Sequence, residues 1–236
     1  MASQRGAKPS APVQPADAAS SATPAPFATL CATLTELPKG QVLHRVHQDQ
    51  YRADQFNPGV RGNARFSPIR DDRGQPIPML YGGTTMDCAL METVFHDVPY
   101  TAGFKTFDKG KLAGQVHSTV EVAQPLRVVD LASVPLRKLG ITRKQLIDTE
   151  KDRYPVTRQW AEALHRQCPD AQGLSWVSRQ DDSARAVALF GDRIPNGALK
   201  PLGASRSLVD DGNAYDSVLD LADRIGVSII PGKESW

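Results

Sequence analysis

The chain of 236 residues is 40% hydrophobic and 23% charged, with a formal net charge of +2, an ordinary composition for one well-cored domain plus a tail. A balance this mild, without a clustered basic face, argues against nucleic-acid binding, and no apolar run approaches the roughly 18–20 residues a membrane-spanning helix needs. Cys31, Cys88 and Cys168 form no CxxC pair and no Cys/His spacing suited to zinc, so a reducing compartment is expected, with the cytoplasm as the default address.

Residues from Met1 to about Pro26 are almost entirely Ala, Pro, Ser, Gln and Gly, too poor in apolar surface to offset the entropy of ordering. The stretch from Phe27 to Leu34 is too short and interrupted for a signal-peptide core. Residues 1–36 are therefore read as a disordered tail and 37–236 as the folded domain. The domain opens with a strand over Gln41–His47 and a Gly/Asn/Pro-rich loop over Phe56–Ala64. A second short strand, Met79–Gly82, ends at Gly82-Gly83. Thr84 or Thr85 then caps a helix predicted over Met86–Asp97. Alternation predicts strands at Gln115–Val122 and Leu126–Leu131. Helical spacing covers Thr142–Asp152 and Thr157–Gln167, the latter with Trp160, Ala161 and Leu164 on one face. Strands return at Gly173–Arg179 and Ala186–Phe190. A helix over Tyr215–Ile225, stopped by Gly226, and a strand over Val227–Ile230 close the chain. Short strands and helices in irregular order indicate an α+β fold.

Five residues stand out as carriers of chemistry. Glu92 sits mid-helix with Cys88, Ala89, Phe95 and His96 at helical neighbour positions, a largely apolar face without a cationic partner. A carboxylate there is either paired from elsewhere in the fold or poised for function. Ser178 ends a strand, where a hydroxyl serves a turn or contacts a phosphate. Arg45 lies inside an apolar strand and Arg65 follows a flexible Arg-Gly-Asn-Ala loop; a guanidinium suits phosphate oxygens. Tyr81, before the glycine pair, is either core or a stacking surface. His44 and His47, three apart in a strand, point to opposite faces and make a poor metal pair.

The order of Leu43-His44-Arg45-Val46, Arg61 to Ser67, Pro78 to Gly83, Cys88 to Glu92, Trp160-Ala161 and Gly173 to Arg179 resembles the RES-domain family. The resemblance implies an ADP-ribosyltransferase-like split β core with surrounding helices. It also implies a toxin of a toxin–antitoxin pair that consumes NAD⁺ by cleaving the nicotinamide–ribose bond. Carried over by position, it makes Glu92, Arg65, Arg45 and Ser178 catalytic, with Arg45, Arg65, Tyr81 and Ser178 binding substrate. In this reading the arginines hold the pyrophosphate, Tyr81 borders the nicotinamide ring and Ser178 contacts a phosphate oxygen. No cofactor or metal is implied; NAD⁺ is substrate and inorganic phosphate the co-substrate. Water or a protein side chain are the alternative acceptors. The implied partner is an Xre-type helix-turn-helix antitoxin, without direct nucleic-acid or membrane contact. A rival of another class is a non-catalytic module that binds a nucleotide in the same cleft. Two departures from the family pattern fall near the cleft mouth: Asn63-Ala64 replaces a glycine pair, and the segment from Ser67 to Met79 is longer.

Overall fold

The computed structural model describes residues 22–231; the first 21 residues of the expected tail lie outside them. In chain order the elements are β1 (Leu34–Leu37), β2 (Val42–Gln48), β3 (Ile69–Arg70), β4 (Pro76–Ile77), β5 (Met79–Gly83), α1 (Met86–Thr93) and β6 (Lys105–Asp108). They continue with β7 (Gln115–Val122), β8 (Leu126–Asp130), α2 (Ser133–Leu139), α3 (Arg143–Leu146), α4 (Tyr154–Gln167) and β9 (Gly173–Val177). β10 (Arg185–Phe190), β11 (Leu199–Pro201), β12 (Arg206–Ser207), α5 (Gly212–Arg224) and β13 (Val227–Ile230) complete the α+β fold.

Nine strands form one curled sheet in the order β1-β8-β9-β10-β5-β2-β7-β11, with β12 also on β7. All its neighbours are antiparallel except β8 and β9. Side-chain alternation sends Met79, Ala186, Ala188, Leu174 and Trp176 to one face, where they pack with α4 residues such as Trp160 and Leu164. Leu43, Leu80, Val187 and Leu189 pack together on the other face. A third cluster joins α1 to α5 through Leu90, Phe95, Val218 and Leu221. Fully buried side chains of this kind each contribute roughly 1.5–3 kcal/mol, which fixes the register of each strand.

Three expectations need correction. The tail boundary at residue 36 is too late, because the chain from residue 22 is packed onto the domain. Thr23 donates to the Gln145 carbonyl at 2.6 Å, the Trp160 indole donates to the Pro24 carbonyl at 2.7 Å, and β1 pairs with β8. The Pro-rich start of this stretch carries no strand or helix periodicity, but Phe27 and Leu30 supply anchors. The helix expected over Thr142–Asp152 is only the capped turn α3, which ends at Leu146, followed by a 3₁₀ turn at Lys151–Arg153; between them the Thr149 carbonyl is claimed by two arginines. Helix α2 had no expected counterpart: Pro135 sits in its first turn, where no intrahelical N–H is lost, and Gly140 ends it at φ 71°.

On one face β2, β7 and β12 are tied by a polar chain. Arg206 Nη2 lies 3.2 Å from His117 Nδ1, and His117 Nε2 lies 3.0 Å from His44 Nδ1. Arginine only donates, so His117 accepts at Nδ1 and donates to His44 from Nε2, which requires both imidazoles to be neutral. Burial, with the charge of Arg206, lowers both pKa values, that of His117 to about 4 from an ordinary 6.5. A histidine depressed by folding contributes stability that is complete above pH 6.5 and is lost as pH falls toward 4. Urea midpoints taken between pH 7 and pH 4.5 should therefore fall less steeply for His117→Gln than for the wild type; parallel slopes would show that the pair is not titrating.

Candidate active site

The sheet parts between β2 and β5. These neighbours share one residue pair, His44 with Gly83, whereas β2 and β7 pair continuously from Val42–Glu121 to Gln48–Gln115. Continuing the β2–β5 register would place Val46 opposite Tyr81 and Gln48 opposite Met79. Instead Asn57 exchanges both backbone hydrogen bonds with Met79, at 2.8 and 3.0 Å, and so wedges the loop after β2 into the gap. The opening is a cavity of about 450 Å³, within the roughly 300–1,000 Å³ typical of small-molecule sites. At its hinge the glycine pair is sterically required. A Cβ on Gly82 would lie 3.2 Å from the His44 carbonyl, and one on Gly83 would lie 2.8 Å from Cys88 Sγ and 3.1 Å from the Ala89 nitrogen.

Arg45 holds the wedge. Its side chain is 8% exposed, and Nη1 donates to the carbonyls of Ala53 and Gln55 at 2.8 Å and of Arg52 at 3.3 Å. Burial lowers its pKa to about 10, against the opposing pull of Asp54, so it stays a cation. The free carbonyls of an irregular loop must find donors when buried, and Nη1 supplies them.

Helix α1 crosses the parting strands. Thr85 caps it by accepting from the Cys88 nitrogen at 3.0 Å, and the helix carries Glu92 to the cavity wall. Ser178 donates to Glu92 Oε1 at 2.7 Å while its Oγ accepts from the nitrogens of Gln180 and Asp181 at 3.0 and 3.2 Å. The serine is fully buried and its hydroxyl is fully engaged, so it orients the carboxylate rather than contacting a phosphate. The same turn reaches other walls: Gln180 donates to the His96 carbonyl at 3.3 Å, and Arg179 donates to the Thr149 carbonyl at 2.7 Å and to Glu150 at 3.0 Å.

Arg65 enters from the loop beyond the wedge. It is 5% exposed; Nη1 donates to Thr149 Oγ1 at 2.6 Å, and the guanidinium sits 5.2 Å from the centre of the Tyr154 ring. Burial lowers its pKa, while Tyr154 and Glu92 pull it back up. The Tyr81 phenol is raised to about 12, chiefly by burial, with Ser67 and the Phe66 backbone opposing. Tyr154 Oη lies 3.1 Å from His96 Nε2, His96 Nδ1 lies 2.9 Å from Asp97, and Lys151 reaches Asp97 at 2.6 Å.

The RES domain model matches residues 42–211 of this sequence. The chain belongs to the RES-domain family. A chain in the crystal structure of the M. tuberculosis MbcT–MbcA toxin–antitoxin complex shares the fold at 14% identity, with a TM-score of 0.54 over 77% of this chain and 90% of that one. No curated protein matches the chain.

Within this RES domain Arg45, Arg65, Tyr81 and Glu92 all line one cavity, and Ser178 stands directly behind Glu92. Tyr154, Lys151 and Trp176 line it too, and sequence reasoning gave them no role. His96 was noted only as a helical neighbour of Glu92. Tyr154 carries no spacing signal, since it joins the site through the chain reversal after α3. The extra residues after Ser67 form the β3–β4 hairpin, whose Ile69 and Ile77 pack into the α4 side of the core. Asn63 is held by Arg158 Nη2 at 3.2 Å.

Ser178→Ala removes the donor to Glu92 and leaves two turn N–H groups without an acceptor. It should lower denaturant-measured stability by about 1–3 kcal/mol, whereas a serine serving only ligand would leave it unchanged. Gly83→Ala drives a methyl into α1 and should destabilise by about 1–3 kcal/mol in the same assay; an unchanged midpoint would show that the helix yields freely.

Proposed function

We propose that this RES domain cleaves the nicotinamide–ribose bond of NAD⁺, with inorganic phosphate as acceptor. The observation that carries the reading is Glu92, a carboxylate fixed by Ser178 at 2.7 Å on the wall of a cleft that also presents Arg65. Nicotinamide leaves as a neutral molecule from a cationic ring, so its departure needs no proton donor. The difficult step is the positive charge that builds on the ribose as the C1″–N bond stretches. A carboxylate held beside the sugar stabilises that charge without reorganising, an effect of about 10²–10³ in rate for one preorganised group. Arg65 neutralises phosphate charge and fixes the sugar's position.

A phosphate oxygen then forms the new bond at C1″, giving free nicotinamide and ADP-ribose 1″-phosphate. The guanidinium of Arg65 at the cavity wall favours an anionic acceptor. By family, and by analogy with a fold found in a toxin–antitoxin complex, the chain acts as the toxin of such a pair in the cytoplasm. Its partner is then an Xre-type helix-turn-helix antitoxin.

The purified chain, incubated with NAD⁺ with and without inorganic phosphate, should release nicotinamide faster with phosphate and yield the 1″-phosphate. Glu92→Gln should slow release by about 10²–10³. Phosphate-independent ADP-ribose would replace phosphorolysis by hydrolysis, and a folded wild-type chain that releases no nicotinamide would remove the reading.

A further inference from the structure

Among the described residues, three buried side-chain polar atoms make no hydrogen bond of good geometry: Arg65 Nη2, Trp176 Nε1 and Tyr81 Oη, the last with the Ser67 side chain and the Phe66 backbone close by. All three residues line the one cleft. Buried donors are rarely left unpaired, and a group of them around one cavity calls for a shared acceptor. The other described indole behaves differently, since Trp160 donates to the Pro24 carbonyl at 2.7 Å.

Their convergence is built into the sheet. Tyr81 on β5 stands opposite Ala188 of β10, and Trp176 on β9 stands opposite Ala186 of β10. The two rings therefore rise from the same face on either side of two methyl groups, with centroids 6.5 Å apart and planes at 74°. Phe66 packs edge-on to Trp176 at 5.1 Å, and its neighbour Arg65 is near enough to Tyr81 for its charge to act on the phenol. Arg65 Nη1 is committed to Thr149, so Nη2 is the available arm.

We propose that Arg65 Nη2, Tyr81 Oη and Trp176 Nε1 form a subsite for a phosphate oxyanion, with the Trp176 indole as a specificity-determining donor. The proposal rests on the cleft being the NAD⁺ site inferred above. An amide or a purine edge asks for acceptors as well as donors, and arginine and tryptophan supply donors alone. A phosphate accepts from all three and pairs its charge with the guanidinium. The three atoms are closed to water in the unliganded cleft, so admitting the anion requires the two rings to part. The phosphoryl group has two sources, the pyrophosphate of a nucleotide or free inorganic phosphate.

Calorimetric titration of the full chain in phosphate-free buffer, with inorganic phosphate and separately with ADP, tests this in the wild type, Trp176→Phe and Tyr81→Phe. Each variant should bind at least one ligand roughly tenfold or more weakly, as expected for one lost hydrogen bond to an anion. If ADP affinity falls and phosphate displaces ADP, the subsite holds the nucleotide's phosphate. If only phosphate affinity falls and both ligands bind together, it holds the free anion. Wild-type affinities retained in the variants overturn the proposal, as does a wild type that binds neither ligand. Should Trp176→Phe fail to fold, Tyr81→Phe decides alone, because it removes only a hydroxyl. Binding is read without turnover: a chain that binds phosphate here yet releases no nicotinamide keeps the subsite and loses the proposed reaction.

Discussion

The exchange of backbone hydrogen bonds between Asn57 and Met79 is the constraint on which the cleft depends. A β-sheet closes on itself unless something satisfies the backbone groups of the strand that is kept apart. Here the loop after β2 does so for β5, and Arg45 satisfies the loop's own carbonyls from within the neighbouring strand. The opening is therefore held apart by the chain's own backbone hydrogen bonds. The glycines at the hinge follow from the same geometry, because α1 and β2 approach β5 more closely there than a side chain permits.

A second organising unit is the turn after β9. Ser178 orients the carboxylate, Arg179 secures the loop bearing Thr149, and Gln180 ties down the end of α1. Arg143 in turn accounts for the carbonyls of Val177 and Ser178, both at 3.0 Å. Helix α1, the Thr149 loop and α3 thus share one short segment, and their coupling is expected to be strong because each bond is partly buried. The serine hydroxyl places another group.

Much of this was legible in the sequence. The α4 face of Trp160, Ala161 and Leu164 is fully buried, as helical spacing predicts. The opposite orientations of His44 and His47 follow from strand geometry, and one now bonds His117 while the other bonds Ser118. The apolar surroundings of Glu92 left two readings open, a partner from elsewhere in the fold or a functional role, and Ser178 supplies such a partner. What was hidden depended on long-range pairing: that Arg45 faces carbonyls, that Thr149 joins two arginines, and that Tyr154 returns beside His96. No local pattern encodes such contacts. Trp176 was hidden for another reason, since an apolar ring in a buried strand looks like core until its N–H is found unpaired.

The strand β1 has a role outside the chemistry. It lies outside the residues matched to the family, 42–211, yet it covers the outer side of β8 over Leu34 to Leu37. Uncovered, β8 would offer a row of free backbone groups flanked by the buried Leu126, Val128 and Val129, the kind of border along which separate chains add to one another. The segment preceding the family core thus acts as a selvage: the sheet ends on a four-residue strand bearing the exposed Glu36 instead of on β8, a short charged margin less suited to self-association.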